Sequence, residues 1–176
     1  LAKKFSANIN GYVGFSLFVT PLRFNLIQSL KWIIGDLFNL KTFKIYRSFN
    51  TRKIFKPEIN EEIEVQSEKL FSKIWPKINK KEDVLKVKLY GIYFGDLIYD
   101  TYIKAHYIPT IDIKDPKFRK YFYDYLKLFL FWHHYFKKHN VKAIIGSHPV
   151  YSYVLPIRIA ASKNMLAYIL DIEHFF

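Results

Sequence analysis

Twelve residues from Gly91 to Tyr102 (GIYFGDLIYDTY) hold two glycines, two carboxylates and three tyrosines. Asp96 and Asp100 are four apart, so on a helix they share one face. A carboxylate near the positive end of a helix is electrostatically stabilised. It can bind sugar hydroxyls or take a proton from a hydroxyl group. Tyr99 and Tyr102 each pair an apolar ring with a polar tip, which suits a sugar or a planar ligand. Gly95 lets another group approach the backbone closely. Asp96 reads equally well as a helix cap; Asp100 lies beyond the cap.

A second group, Gly146-Ser147-His148-Pro149-Val150-Tyr151, directly follows the apolar run 141–145. His148 can serve as a base, a hydrogen-bond donor or a phosphate contact. A helix-entry turn capped by Ser147 explains the same residues, and both readings stand. Tyr151 and Arg158 belong to the same neighbourhood; Arg158, one or two turns into the next helix, can also simply pair with a carboxylate. No P-loop, G-x-G-x-x-G or Asp-x-Asp motif is present. His133, His134 and His139 lack the spacing of a helical zinc site and read as surface histidines, so no metal is expected.

The elements that must position these groups follow from periodicity. Residues 9–19 read as a strand with its turn, and a helical pattern runs from Pro21 through Leu22, Leu26, Leu30 and Ile33 to Gly35-Asp36. Phe43-Lys44-Ile45-Tyr46 reads as the next strand, completing β-α-β. Residues 58–80 form a surface helix broken near Pro76. Residues 84–90 alternate like a strand, although Lys81-Glu82-Asp83 can cap a short helix there. A helix opens at Gly95 or Asp96. Asp115 as N-cap and Pro116 at the first helical position open the longest helix, 115–139. Its stripe of Phe118, Phe122, Tyr125, Phe129, Trp132 and Phe136 faces a core, and its width leaves aromatic surface for a membrane or a partner. The strand 141–146, a helix from Tyr153 to Lys163 and the strand 166–170 make a second β-α-β. Such crossovers build doubly wound parallel sheets, whose ligands sit beyond the strands' carboxyl ends. Ser147 and His148 stand at that position.

Composition bounds the rest. With 176 residues, 51% hydrophobic and 19% aromatic, the chain is a folded domain, not a disordered one. It has no cysteine, which excludes a disulfide scaffold and thiolate metal sites. The net charge of +13 points to an anionic partner surface, yet only five of the 28 cationic residues are arginine. Base and phosphate readers favour arginine's fork, and the aromatics fall at core spacing, so no nucleic-acid partner is expected. No run is long enough to span a membrane. The chain starts at Leu1 and stops just after a buried-looking strand, so we expect a piece of a longer protein, cut at both ends.

Taken together, Ile45-Tyr46-Arg47-Ser48-Phe49, the Gly91–Tyr102 block, Pro109-Thr110-Ile111-Asp112, Ser147-His148-x2-Tyr151 and Arg158-x-Ala160 resemble bacterial surface-polysaccharide biosynthesis proteins, glycosyltransferase-like chains of the two-Rossmann-domain (GT-B) type. The resemblance implies an α/β fold: residues 1–176 as one Rossmann-like N-terminal, acceptor-side domain with a doubly wound parallel sheet, the C-terminal donor domain being absent. It implies sugar transfer from a nucleotide-sugar, a substrate rather than a cofactor, to a hydroxyl on a glycan or lipid-linked acceptor in capsule or O-antigen synthesis. Asp100 or His148 is then the base, with Gly95, Asp96, Tyr99, Tyr102, Ser147, Tyr151 and Arg158 shaping the pocket. The expected location is cytoplasmic, peripheral on the anionic inner face of the plasma membrane. The competing readings are a sugar-nucleotide epimerase on the same scaffold and a basic module that binds membrane or nucleic acid.

Overall fold

The structure, a computed structural model, describes residues 6–13, 26–40, 42–146 and 150–170. Those up to residue 58 and those from residue 59 onward form two compact units.

The first unit holds a parallel strand pair, β1 (Ile9–Tyr12) and β2 (Thr51–Phe55), and two helices, α1 (Leu26–Leu37) and α2 (Thr42–Ser48). Asn10 lies opposite Lys53 and Tyr12 opposite Phe55. The segment Phe43–Tyr46, expected as a strand, is helical. A strand would set Phe43 and Ile45 on the same face, but the unit needs Phe43 and Tyr46 inward. Phe43 is buried edge-on against Trp32, with ring centres 4.9 Å apart, while Ile45 is exposed. The Tyr46 ring lies over Gly11, where an added Cβ would come within 2.5 Å of it, and its hydroxyl donates to the Tyr12 carbonyl at 2.6 Å. The second strand of the pair comes later, at Thr51. Pro21, Leu22 and the expected strand beyond Val13 lie outside the described residues.

The second unit runs α3 (Glu61–Ile74), α4 (Lys81–Leu85), β3 (Lys88–Leu89), β4 (Ile92–Tyr93), α5 (Gly95–His106), α6 (Pro116–Lys138), β5 (Ala143–Gly146), α7 (Leu155–Ser162) and β6 (Leu166–Ile169). The Asn60 side chain caps α3 by accepting from the Ile63 N–H at 2.9 Å. The helix gives way to a single 3₁₀ turn, Trp75–Lys77, at Pro76, which cannot donate to the helical ladder. Both readings of 84–90 hold in part. A short helix ends at Leu85, and β3 and β4 form an antiparallel hairpin. Its two turn residues, Tyr90 and Gly91, both have positive φ, 52° and 81°, the geometry that matches the twist of paired strands.

The core is built on α6. Asp115 caps it, accepting from the Lys117 N–H at 2.8 Å, with Pro116 next. Phe118, Phe122, Tyr125 and Phe129 are fully buried, each contributing about 2 kcal/mol by leaving water. On one side α3 packs along it, with Phe71 and Trp75 against Phe122 and an ion pair from Lys127 to Glu64 at 2.7 Å. On other sides lie α5 and α7. The aromatic surface expected on this helix is confined to the half-buried Tyr121, Tyr123 and Tyr135; its other aromatics are buried, because helices cover it from more than one direction.

Strands β5 and β6 pair in parallel, from Ala143 opposite Leu166 to Gly146 opposite Ile169, with α7 as the crossover. The second β-α-β is therefore present. The chain is mixed α/β with short parallel strand pairs. Among the described residues these pairs form separate two-stranded sheets; a continuous doubly wound sheet is not among their pairings.

Candidate functional site

The site assembles where α5 begins. Backbone bonds from Phe94 and Gly95 to the Val87 carbonyl, at 3.2 and 3.3 Å, hold the chain against the end of α4. A Cβ on Gly95 would stand 1.8 Å from the Val84 carbonyl oxygen. The glycine is thus required by backbone packing between α4 and α5, and no open space for a ligand faces that position.

Asp96 follows in the first turn. The cap position itself is Phe94; the Asp96 carboxylate is held by Arg158 of α7 in a two-armed pair, both contacts 2.7 Å. The same guanidinium donates to the Tyr93 carbonyl at 3.0 Å. Partial burial opposes ionisation of Asp96, but the Arg158 hydrogen bonds and charge outweigh it and hold its carboxyl below the usual range. Burial is incomplete, with Arg158 34% and Asp96 44% exposed. Asp100 lies one turn further along α5 and is exposed. Its carboxyl is pushed above the ordinary value, first by lost hydration and then by the like charge of Asp96, with Arg158 offsetting part of this. Two carboxylates on one helix face are therefore pushed apart: Asp96 as an ion-pair partner, Asp100 as the better proton acceptor.

Arg158 comes from the helix that follows β5, and the 3₁₀ turn Tyr151–Val154 packs against α5. Tyr151 opens that turn with φ of 60°, a left-handed backbone that a non-glycine residue adopts only where its surroundings impose it. Ser147 and His148 lie outside the described residues.

The tyrosines of α5 separate. Tyr99 exchanges a hydrogen bond with Thr110 Oγ1 at 3.0 Å, and Lys81 reaches the same oxygen at 3.4 Å. Tyr102, expected to shape a pocket, is buried, and its hydroxyl donates to Asp115 Oδ2 at 3.0 Å. Burial and that carboxylate push its phenol up to about 12. It ties α5 to the cap of α6.

Sequence reasoning missed His133. Read as a surface residue, it is only 7% exposed and stacks on Tyr90 at 4.4 Å between ring centres. Burial, then the charges of Lys163, Lys137 and His134, pull it down to about 4. The signal was available: His133 lies four after Phe129 and three before Phe136, on the core stripe. His134 does lie nearer the surface, bonded to Gln66 at 3.1 Å. Among the described residues no cluster of three His, Asp or Glu side chains is arranged to hold a metal, and no helix is long and apolar enough to cross a membrane. Comparison of the chain with protein-family models, with curated proteins and with solved structures gave no match.

Proposed function

We propose that this chain is the acceptor-side part of a glycosyltransferase that moves a sugar from a nucleotide-sugar to a glycan hydroxyl. On this reading the parallel pairs belong to a Rossmann-like sheet, and the donor nucleotide is held by a second, similar half beyond these residues. The supporting observation is the Arg158–Asp96 pair. It joins the helix after β5 to the start of α5, so the segment that carries Ser147 and His148 in sequence leads into the helix that meets Asp100's own.

Asp100 is the base in this proposal. Its exposed carboxylate takes the proton of the acceptor hydroxyl as that oxygen bonds to the anomeric carbon. The bond from the anomeric carbon to the phosphate oxygen breaks, and the nucleoside diphosphate leaves with its electron pair. The raised affinity of Asp100 for protons favours the step. Asp96 and Arg158 hold the helix start in register, and Tyr151 lines the approach.

The test is sugar transfer followed by mass spectrometry, with UDP-sugars and glycan acceptors, for residues 1–176 and for a longer chain carrying both halves. Transfer by the longer chain alone is the expected outcome. Turnover by residues 1–176 refutes the division of labour. Sugar epimerisation without any acceptor means the scaffold serves a different reaction.

A further inference from the structure

The helix α1 is built the wrong way round for a helix that faces a core. Leu26, Ile27, Leu30, Ile33, Ile34 and Leu37 fall on one stripe, and that stripe points outward. Leu26 is 86% exposed, Leu37 76% and Ile33 59%. The inward side carries Gly35, closed over by the Phe43 ring, and Trp32, edge-on to the same ring. Phe38 and Leu40, just past the helix, are exposed as well. A contiguous apolar patch of this size on a folded unit marks a docking surface.

Charge says what docks there. Residues 1–58 carry ten lysines and arginines against two acidic residues, Asp36 and Glu58. Asp36 is neutralised by Arg47 at 2.7 Å. Lys31 flanks the stripe on α1 itself, and Lys44, Arg52 and Lys53 are exposed on α2 and β2. A protein partner or a second copy of this basic unit must supply its own acidic rim, whereas an anionic bilayer supplies negative headgroups over an apolar layer at once. An apolar helix face edged by Lys31, on a unit with this excess of exposed cations, fits an interfacial helix, whose lysines and arginines meet the headgroups while the leucines enter the acyl boundary.

We infer that α1 lies in the surface of an anionic phospholipid bilayer, with the stripe from Leu26 to Leu37 in the acyl boundary and with Lys31 and other exposed cations of the unit on the headgroups. The inference is independent of sugar transfer, since a chain without turnover still binds vesicles.

The experiment is co-sedimentation of the chain with phosphatidylcholine vesicles, with and without phosphatidylglycerol, across a salt series. Binding should require phosphatidylglycerol and weaken as salt rises. Leu30→Asp with Ile33→Asp should lower partitioning at least about tenfold, with circular dichroism and melting temperature in the absence of lipid unchanged. Lys44→Gln, Arg52→Gln and Lys53→Gln together should flatten the salt dependence. Equal binding to both vesicle types, or unchanged binding by the double aspartate variant, overturns the inference. So does a large fall in that variant's lipid-free melting temperature, which means the rest of the chain covers the stripe. Self-association of the native chain that the double variant abolishes assigns the stripe to a second copy and overturns it too.

Discussion

Arg158 closes on Asp96 with both arms of its guanidinium, at 2.7 Å each, across 62 residues of sequence. Its third contact, the Tyr93 carbonyl at 3.0 Å, fixes the strand end that leads into α5. One side chain thereby sets the entry of the helix that carries Asp100 and the electrostatic surroundings of that carboxylate.

Replacing Asp96 therefore changes Asp100 in a defined direction. Asp96→Asn removes the like charge that raises the Asp100 carboxyl and leaves Arg158, which lowers it, without its neutralising partner. The Asp100 pKa should fall, read by carbon-detected NMR titration of its carboxyl. A double-mutant cycle of Asp96→Asn and Arg158→Gln should give a coupling of about 1 kcal/mol, since a half-exposed pair is screened by water. Asp96 has a lowered pKa in the folded chain, so the pair's stabilisation is present above the ordinary carboxylate pKa. It is lost as pH falls through the folded-state value.

Gly95→Ala should cost about 3 kcal/mol or more, because the added methyl meets a backbone oxygen that no rotamer change can move aside. Urea unfolding measures it. An alanine variant as stable as the native chain contradicts the close packing of α4 on α5.

His133 gives the chain a separate acid sensitivity. Its folded pKa is lowered to about 4, and an unfolded histidine titrates near 6.5. Its contribution is thus fully present above about pH 6.5 and is lost as pH falls toward 4. By pH 5 the loss is on the order of 2 kcal/mol. His133→Phe keeps a ring against Tyr90 and cannot protonate, so its stability relative to the native chain should rise steadily from pH 7 to pH 5. Denaturant melts at the two pH values provide the comparison.

Much of this was legible where local signals and tertiary demands agree. Asp115, Pro116 and the aromatic stripe specify α6 without help from the rest of the chain, and the alternation of apolar runs around Pro156 specifies the second β-α-β. Phe43–Tyr46 was misread because its residues favour strands, while Gly11 and Trp32, distant in sequence, require a helix that turns Phe43 and Tyr46 inward. Tyr102 looked like a ligand residue because its partner, Asp115, is seen only once α5 and α6 meet. The α1 stripe has the spacing of a core helix; only the structure shows that it faces outward. Asp96 and Arg158 were each noticed, but no sequence spacing announces that they bond to each other.

The most direct test of the proposed transfer compares glycan transfer by the longer, two-half chain of that proposal and by its Asp100→Asn variant, alongside their melting temperatures. Asp100 is exposed, and among the described residues no hydrogen bond or ion pair holds its side chain, so the variant should melt within about a degree of the native protein while turnover falls at least about a hundredfold. Undiminished turnover, or a lost melting temperature that accounts for the lost activity, contradicts the assignment of Asp100 as the base.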